Sequence, residues 1–129
     1  MVPVNPEYRK TLFRLGAAED CPSTFAVVTV CNPDGVVLPA AENSSRTEAF
    51  RMQLDECGFR HFPVTGYDPD GPHREAGFGV ESDRETAMAF GRQWEQEAIF
   101  WIERGKLILV SCKDDEEIDL GTWIARVNP

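Results

Sequence analysis

Basic residues are scarce in this sequence, and long apolar runs are absent. It has 13 Lys and Arg residues against 22 Asp and Glu residues, which gives a formal net charge of −9. Nucleic-acid binding needs clustered basic side chains that neutralise phosphates, so no nucleic-acid partner is expected. No run reaches the ~18 apolar residues of a membrane span, so no membrane partner is expected either. Residues 1–7 lack the basic and apolar regions of a secretion signal, which predicts a cytoplasmic protein.

Residues that carry metal or covalent chemistry are also few. The four cysteines lie far apart without paired spacing, which favours reduced thiols over a disulfide framework. Cys57 and His61 have a metal-like gap, but no second pair accompanies them, so no metal is expected. The chain contains no P-loop, no G-x-G-x-x-G and no G-x-S-x-G motif. We therefore expect no cofactor, and whether the protein is an enzyme stays open.

The acidic balance has two interpretations. Net charge away from zero keeps a protein soluble, and this role needs no partner. Alternatively, an acidic surface could occupy the basic groove of a protein partner, as an inhibitor does. The oligomeric state stays open under both interpretations.

The residues that are present predict one compact unit over residues 1–129, because this length suits a single domain. Its centre is Phe25–Asn32, an apolar and β-branched run that ends before Pro33. Such a run is typical of a strand buried on both faces. Proline ends it because proline has no N–H to donate to a neighbouring strand.

Three helices are predicted from their capping residues and periodicity. Asn5-Pro6-Glu7 begins an N-terminal helix of about three turns that Gly16 can end. Ser45 and Glu48 form a capping box for the next helix, in which an apolar stripe runs towards Gly58. Ser82 and Glu85 form the capping box of the last helix. The stripe of the middle helix consists of Arg46, Phe50, Leu54 and Cys57.

The remaining strands are predicted at Phe59–Thr65, Ala76–Glu81, Ala98–Glu103 and Lys106–Cys112. With the central strand and the last two helices, they give a βαββαβ order followed by one extra strand. This order is typical of ferredoxin-like α+β sandwiches. The sequence therefore predicts an α+β fold with an antiparallel-rich sheet, an N-terminal helix and an extra C-terminal strand.

In this topology, polar residues collect at one end of the sheet, whereas the other end receives caps and turns. The polar end holds the end of the first strand, the start of the middle helix, the loop after the second strand and the end of the last helix. The residues at these places are Asn32, Glu42, Asn43, Arg46, Tyr67, Asp68, Asp70, His73, Gln93, Gln96 and Glu97.

Each of these residues also has a structural interpretation. Asn32 and Asn43 suit turns and helix caps, and Asp68 suits a turn. Arg46 can extend its charged end to solvent, pair with Glu42, or hold an anion at the helix N-terminus. A histidine in a loop, such as His73, is ordinarily solvated.

Several short motifs resemble one family. They are Val28–Pro33, Ala41-Glu42-Asn43 with Arg46, Phe62-Pro63 with Gly66, Asp68-Pro69, Phe90-Gly91-Arg92 with Gln96, and Ala98-Ile99-Phe100-Trp101. In their order they resemble a bacterial domain-of-unknown-function family, number three-two-nine-three, over about residues 25–112. The resemblance implies a small bacterial cytoplasmic protein, and Asn43, Arg46 and Gln96 match polar positions of the family pattern. It implies no particular activity.

Three functional hypotheses follow. The first is a binding module for a small polar or anionic ligand. The second is an acidic protein-interaction or inhibitor protein. The third is a small enzyme that uses Arg46 for substrate charge and Asp68 or His73 as acid or base. The residues predicted to bind the ligand are Asn32, Glu42, Asn43, Arg46, Tyr67, Asp68 and Gln96.

Overall fold

The computed structural model describes residues 6–16 and 20–129. Within these residues the chain forms two α-helices, seven strands and short 3-10 helices at Pro6–Lys10, Pro33–Gly35 and Ile124–Arg126. The α-helices are α1 (Ala40–Glu56) and α2 (Arg84–Gln93). The strands are β1 (Leu12–Arg14), β2 (Thr24–Thr29), β3 (His61–Tyr67), β4 (Arg74–Val80), β5 (Ala98–Glu103), β6 (Lys106–Ser111) and β7 (Glu117–Thr122).

All the strands belong to one sheet in the order β1-β3-β4-β2-β5-β6-β7. Every pairing of neighbouring strands is antiparallel. Strand β2 lies in the middle, and Phe25, Ala26, Val27 and Val28 are all buried. The α+β class, the antiparallel sheet and the interior position of this apolar run are therefore confirmed.

The two faces of the sheet carry separate hydrophobic clusters, because side chains alternate along each strand. Ala26 and Val28 of β2 pack with Phe50 of α1 and Ala87 of α2 on one face. Val27 packs on the opposite face, in a cluster that both ends of the chain complete. That cluster includes Phe13, Phe25, Phe100, Trp123 and Val127. The α-helices thus cover one face, and the second face is left for short segments and a cavity.

The predicted N-terminal helix is wrong. The chain forms a short 3-10 helix at Pro6–Lys10 and then strand β1, which pairs with β3. Phe13 of β1 is fully buried, and its ring meets those of Phe100 and Trp123 at 4.9 Å. The helical spacing of Tyr8, Leu12 and Leu15 was outweighed by this tertiary pairing. The predicted cap Asn5 lies outside the described residues.

Both predicted capping boxes are also wrong. Helix α1 begins at Ala40 after Pro39, so Ser45 lies inside the helix. In α2 the cap is Asp83, whose carboxylate accepts a hydrogen bond from the backbone N–H of Thr86 at 2.7 Å. An aspartate at this position satisfies a free N–H of the first turn as well as serine does. Gly58 follows the C-cap of α1 and ends the helix as expected, with a left-handed φ of 76°.

The C-terminal region contains one more strand than predicted. The extra strand β6 pairs with β5, as the hairpin at Arg104-Gly105 indicates, and β7 then pairs with β6. An isolated bridge joins Val127 to Phe13, so the end of the chain returns to β1. Among the described residues, no helix has the length and apolar character needed to span a membrane.

Candidate functional site

A cavity of about 410 Å³ opens on the face of the sheet that the α-helices leave uncovered. Val27 and Thr29 of β2 form part of its floor, next to Phe100 of β5. The loops on either side complete its walls, as does the 3-10 helix at Pro6–Lys10. The lining residues are Glu7, Tyr8, Thr11, Phe13, Val27, Thr29, Asn32, Asp34, Gly35, Val37, Gly66, Tyr67, Asp68, His73, Glu75, Glu97, Ala98 and Phe100.

The most buried carboxylate of the cavity belongs to Glu75, which is only 8% exposed. The Thr29 hydroxyl lies 3.0 Å from its Oε1, and Nε2 of His73 lies 2.8 Å from its Oε2. A buried carboxylate needs such partners, because burial without hydrogen bonds is costly. Glu75 is therefore held by a strand residue on one side and by a loop residue on the other.

Gln96 contacts Thr29 from outside the cavity lining. Its Oε1 lies 2.9 Å from the Thr29 hydroxyl, which can donate to Gln96 or to Glu75. The Gln96 amide N–H₂ group donates to the backbone carbonyls of Cys31 and Trp94 at 2.9 and 3.0 Å. Gln96 is 7% exposed and does not line the cavity. Its amide hydrogen bonds fix Gln96, whose Oε1 and the carboxylate of Glu75 are the two acceptors within reach of the single Thr29 hydroxyl hydrogen.

The electrostatic character of the cavity appears in Tyr8. Burial raises the pKa of the Tyr8 hydroxyl above its usual value, and the carboxylates of Glu75 and Glu97 raise it further. A negative neighbour disfavours the phenolate. Tyr8 therefore stays neutral at physiological pH, in surroundings that oppose negative charge.

The walls combine acidic and aromatic groups. Asp34 lies on the loop after β2, and its backbone N–H donates to the carbonyl of Glu95 at 2.7 Å. Phe13 and Phe100 meet edge to face at 4.9 Å and form an apolar part of the wall. No lysine or arginine is found among the described residues that line the cavity. Over residues 6–16 and 20–129, no group of three His, Cys, Asp or Glu side chains is arranged to hold a metal ion.

Tyr67 and Asp68, both predicted site residues, line the cavity where β3 ends. The Tyr67 ring is already in contact with two guanidinium groups, those of Arg14 at 5.0 Å and Arg74 at 4.9 Å from its centroid. Asp68 forms a turn, since its Oδ1 accepts a hydrogen bond from the backbone N–H of Asp70 at 2.8 Å. Of these two residues, Asp68 is the one whose carboxylate adds charge to the cavity wall.

Asn32 also lines the cavity, and Asn43 holds it there. Asn32 has a left-handed backbone with φ 49°, a conformation that asparagine adopts more readily than most residues. The backbone N–H of Asn32 donates to Oδ1 of Asn43 at 3.0 Å, and the Asn43 amide donates back to Oδ1 of Asn32 at 2.8 Å. Asn43 thus fixes the loop and lies outside the cavity lining. Glu42, which was predicted beside it, is exposed on α1.

Arg46 belongs to the helix-covered face and not to the cavity lining. Its Nε donates to the carbonyl of Val30 at 2.6 Å, and one terminal nitrogen donates to the carbonyl of Trp94 at 2.7 Å. Its guanidinium also lies 5.3 Å from the centroid of the Trp94 ring. These contacts connect α1, the end of β2 and the end of α2, so Arg46 uses its charge within the protein.

The structure therefore brings Asn32, Tyr67 and Asp68 together around the cavity and places Glu42, Asn43, Arg46 and Gln96 outside its lining. His73, proposed as an acid or base, also lies at the cavity. Sequence reasoning missed Glu75 and Thr29. The signal for Glu75 was alternation along β4, where Glu75, Gly77 and Gly79 share one face and the two glycines admit the close approach of Thr29 and Phe62.

Comparison with known families adds one finding. The family described as protein of unknown function DUF3293 matches residues 28–99, which is more than half of the chain. The chain belongs to DUF3293. No curated protein and no solved structure matches it significantly.

The DUF3293 match covers only part of the cavity. Within residues 28–99 lie Thr29 of β2, Glu75 of β4 and His73 of the loop before β4. Tyr8, Phe13 and Phe100 lie outside the matched range. In this DUF3293 protein, the buried carboxylate therefore comes from the family region, and part of the apolar wall comes from flanking segments.

Proposed function

We propose that this protein binds a small organic cation, such as a primary amine, in the cavity on the helix-free face. The main observation is the charge of the lining, which includes Glu7, Asp34, Asp68, Glu75 and Glu97, with the ammonium of Lys10 lying 3.6 Å from the Glu7 carboxylate. Among the described lining residues, none is a lysine or an arginine. This proposal keeps the predicted ligand-binding role and replaces the predicted polar or anionic ligand with a cationic one.

The anionic ligand is disfavoured for a physical reason. Its predicted anchor was Arg46, whose N–H groups already donate to the carbonyls of Val30 and Trp94. An anion in the cavity would meet Glu75 in partly buried surroundings, where charges interact more strongly than in water. An ammonium group would gain from the same field, and hydrogen bonds to a charged acceptor are the stronger kind.

The apolar part of the cavity supports a ligand with a hydrocarbon or aromatic body. Phe13 and Phe100 are almost fully buried, and Val27 lies beside them. Ligand sites commonly combine an apolar lining with a few placed polar groups. An amine with a compact apolar body can therefore place its nitrogen near Glu75 and its carbon skeleton against these residues.

Matched probes test the sign of the ligand. The purified protein is titrated with phenethylamine, 2-phenylethanol and 3-phenylpropanoate, which share an aromatic body and differ in charge, and then with a panel of other amines. Binding is measured by thermal shift and calorimetry. We expect binding by amines and little by the alcohol or the carboxylate. Binding of the carboxylate without any amine would contradict the proposal.

A pair of variants tests the position of the site. Glu75→Gln removes the buried carboxylate, and we expect it to weaken amine binding by about tenfold or more. Glu103→Gln changes the net charge equally at an exposed strand end outside the cavity. Amine affinity should be unchanged in this control. Equal losses in both variants would mean that only overall charge attracts the probe.

A second candidate function is a small enzyme with His73 as acid or base. The hydrogen bond between His73 and the buried Glu75 favours it, because a carboxylate can orient a histidine for proton transfer. The sequence-based enzyme hypothesis assigned the substrate charge to Arg46, but Arg46 does not line the cavity and takes no part here. Incubation of bound amines followed by mass spectrometry distinguishes the two functions, since binding alone leaves the amine unchanged.

We also propose a ferredoxin-like core within a single domain. Strands β3, β4, β2 and β5 are neighbours in that order, and α1 and α2 both pack on one face. This order supports the classification. The unpaired spacing of the cysteines supports a cytoplasmic location, because reduced thiols are usual there.

A further inference from the structure

The contact between His73 and Glu75 joins an exposed group to a buried one. Nε2 of His73 lies 2.8 Å from Oε2 of Glu75, and the exposed fractions of the two side chains are 52% and 10%. The other carboxylate oxygen of Glu75 faces the Thr29 hydroxyl, which Gln96 supports. Glu75 is therefore fixed from within, whereas its partner on the cavity side can move into solvent.

We propose that His73 is an internal competitor for the cation site, which an amine ligand displaces from Glu75, so that amine binding is coupled to proton release. This inference rests on the proposed function. When the imidazole is protonated, it places a positive N–H group on Oε2, as a ligand ammonium would. When the ammonium takes that place, the imidazolium loses its counter-ion, which shifts the equilibrium towards neutral imidazole and releases part of a proton per amine bound. Amine affinity should therefore rise with pH.

Histidine ordinarily titrates between about pH 5 and pH 8, whereas carboxylates ordinarily do so near pH 4. The neighbouring Arg74 stays charged, and its side chain donates to the carbonyl of His73 at 2.9 Å. Tyr8 stays neutral, because its pKa is raised. The other charged residues that line the cavity are Glu7, Asp34, Asp68, Glu75 and Glu97, and Lys10 lies 3.6 Å from Glu7 and 3.8 Å from Asp70.

The chain offers a matched control in its other histidine. Nε2 of His61 lies 2.7 Å from a carboxylate oxygen of Asp55, in a pair of similar geometry. Neither residue lines the cavity. His61→Gln should therefore leave the pH dependence of amine binding unchanged, whereas His73→Gln keeps an N–H donor near Glu75 and removes the charge.

Calorimetric titration with phenethylamine, or with the tightest amine of the panel, tests the inference at about pH 5.5 and about pH 7.5. At each pH, two buffers with different ionisation enthalpies give the number of protons released. For the wild type we expect several-fold weaker binding at about pH 5.5 than at about pH 7.5, with a fraction of a proton released per amine bound, because a solvated imidazole is itself mostly protonated at about pH 5.5. His73→Gln should bind equally at both pH values and release no proton.

The outcomes are distinguishable. Amine binding by the wild type without pH dependence or proton release overturns the competitor role and leaves the proposed function intact. The competitor role is also overturned if amine binding by His73→Gln keeps the full pH dependence of the wild type. Absence of amine binding at both pH values, in the wild type and in His73→Gln, overturns both proposals. If His73→Gln does not fold, proton release is compared between the wild type and His61→Gln. Equal release supports His73 as the competitor, and loss of release in His61→Gln overturns that role.

Discussion

The side-chain amides of Asn32 and Asn43 form a reciprocal contact, with the Asn43 amide nitrogen 2.8 Å from Oδ1 of Asn32. The backbone N–H of Asn32 returns a hydrogen bond to Asn43, and Oδ1 of Asn32 also accepts from the N–H of Leu38. The contact thereby connects the end of β2 to the first turn of α1. It holds one rim of the cavity without placing Asn43 in the lining.

Loss of this contact should destabilise the fold. Asn43→Ala removes three side-chain hydrogen bonds and leaves the half-buried Asn32 N–H without its acceptor, so we expect the free energy of unfolding to fall by about 1–3 kcal/mol. Urea denaturation measures it. Ser44→Ala, at the exposed neighbouring position, should change it by less than about 0.5 kcal/mol. Equal effects in both variants would show that the amide contact contributes nothing.

Arg46 should be important for stability and unimportant for ligand binding. Arg46→Met removes two hydrogen bonds from a charged donor to backbone carbonyls, and we expect a loss of about 2–4 kcal/mol. Arg51→Met breaks exposed ion pairs with Glu48 and Asp55 on the same helix and should lower stability far less, because solvent screens exposed pairs. Denaturation and amine titration are both measured. An Arg46→Met protein of normal stability that no longer binds amines would contradict this role.

Gly77 should not tolerate a side chain. A Cβ at this position of β4 would lie 2.6 Å from the backbone oxygen of Val28 and 2.8 Å from a methyl carbon of Thr29. Since strand backbones cannot yield as side chains do, Gly77→Ala should destabilise by about 1–3 kcal/mol. Gly66→Ala on β3 meets only an ordinary contact of 3.4 Å with Thr11 and serves as the control. Thermal unfolding of both proteins checks the difference, and equal melting temperatures would contradict it.

The cysteines should differ in reactivity under native conditions. Burial raises the pKa of the Cys31 thiol and raises that of Cys112 to about 11. At about pH 8 only about a thousandth of a thiol with the latter pKa is thiolate, the form that reacts. The exposed Cys57 should be alkylated first.

Mass spectrometry of peptides over time follows this alkylation. In denaturant, all four cysteines should react, because free thiols are expected throughout. Alkylation of Cys112 as fast as that of Cys57 in the native protein would contradict its burial. A mass showing fewer than four adducts in denaturant would reveal a disulfide.

The strands and helices were predictable where local chemistry and burial agree. Phe25–Val28 is apolar on both sides of its alternation, and only an interior strand between two covered faces uses such a run. The helix prediction for the N-terminal segment failed because its helical spacing is short and weak, whereas strand β1 lets Phe13 pack in the core against Phe100 and Trp123. Strand β7 was missed because its alternation is mostly polar and its pairing with β6 is a tertiary property.

The candidate site was only partly predictable. The convergence of Asn32, Tyr67 and Asp68 follows from connectivity, which places the ends of β2 and β3 together. Which face of the sheet holds the cavity does not follow from it. Arg46 looked like an anion site because it lies near a helix start, yet its charge is used by the Val30 and Trp94 carbonyls.

The sequence by itself determined the α+β class, the central strand, the acidic charge and the membership implied by its short motifs. These properties depend on composition, alternation and order along the chain. Only the tertiary structure decided the burial of Glu75, its contact with His73 and the acidic lining of the cavity. The reason is that burial and the local electric field depend on residues far apart in sequence, such as Tyr8, Glu75 and Glu97, which the fold alone brings together.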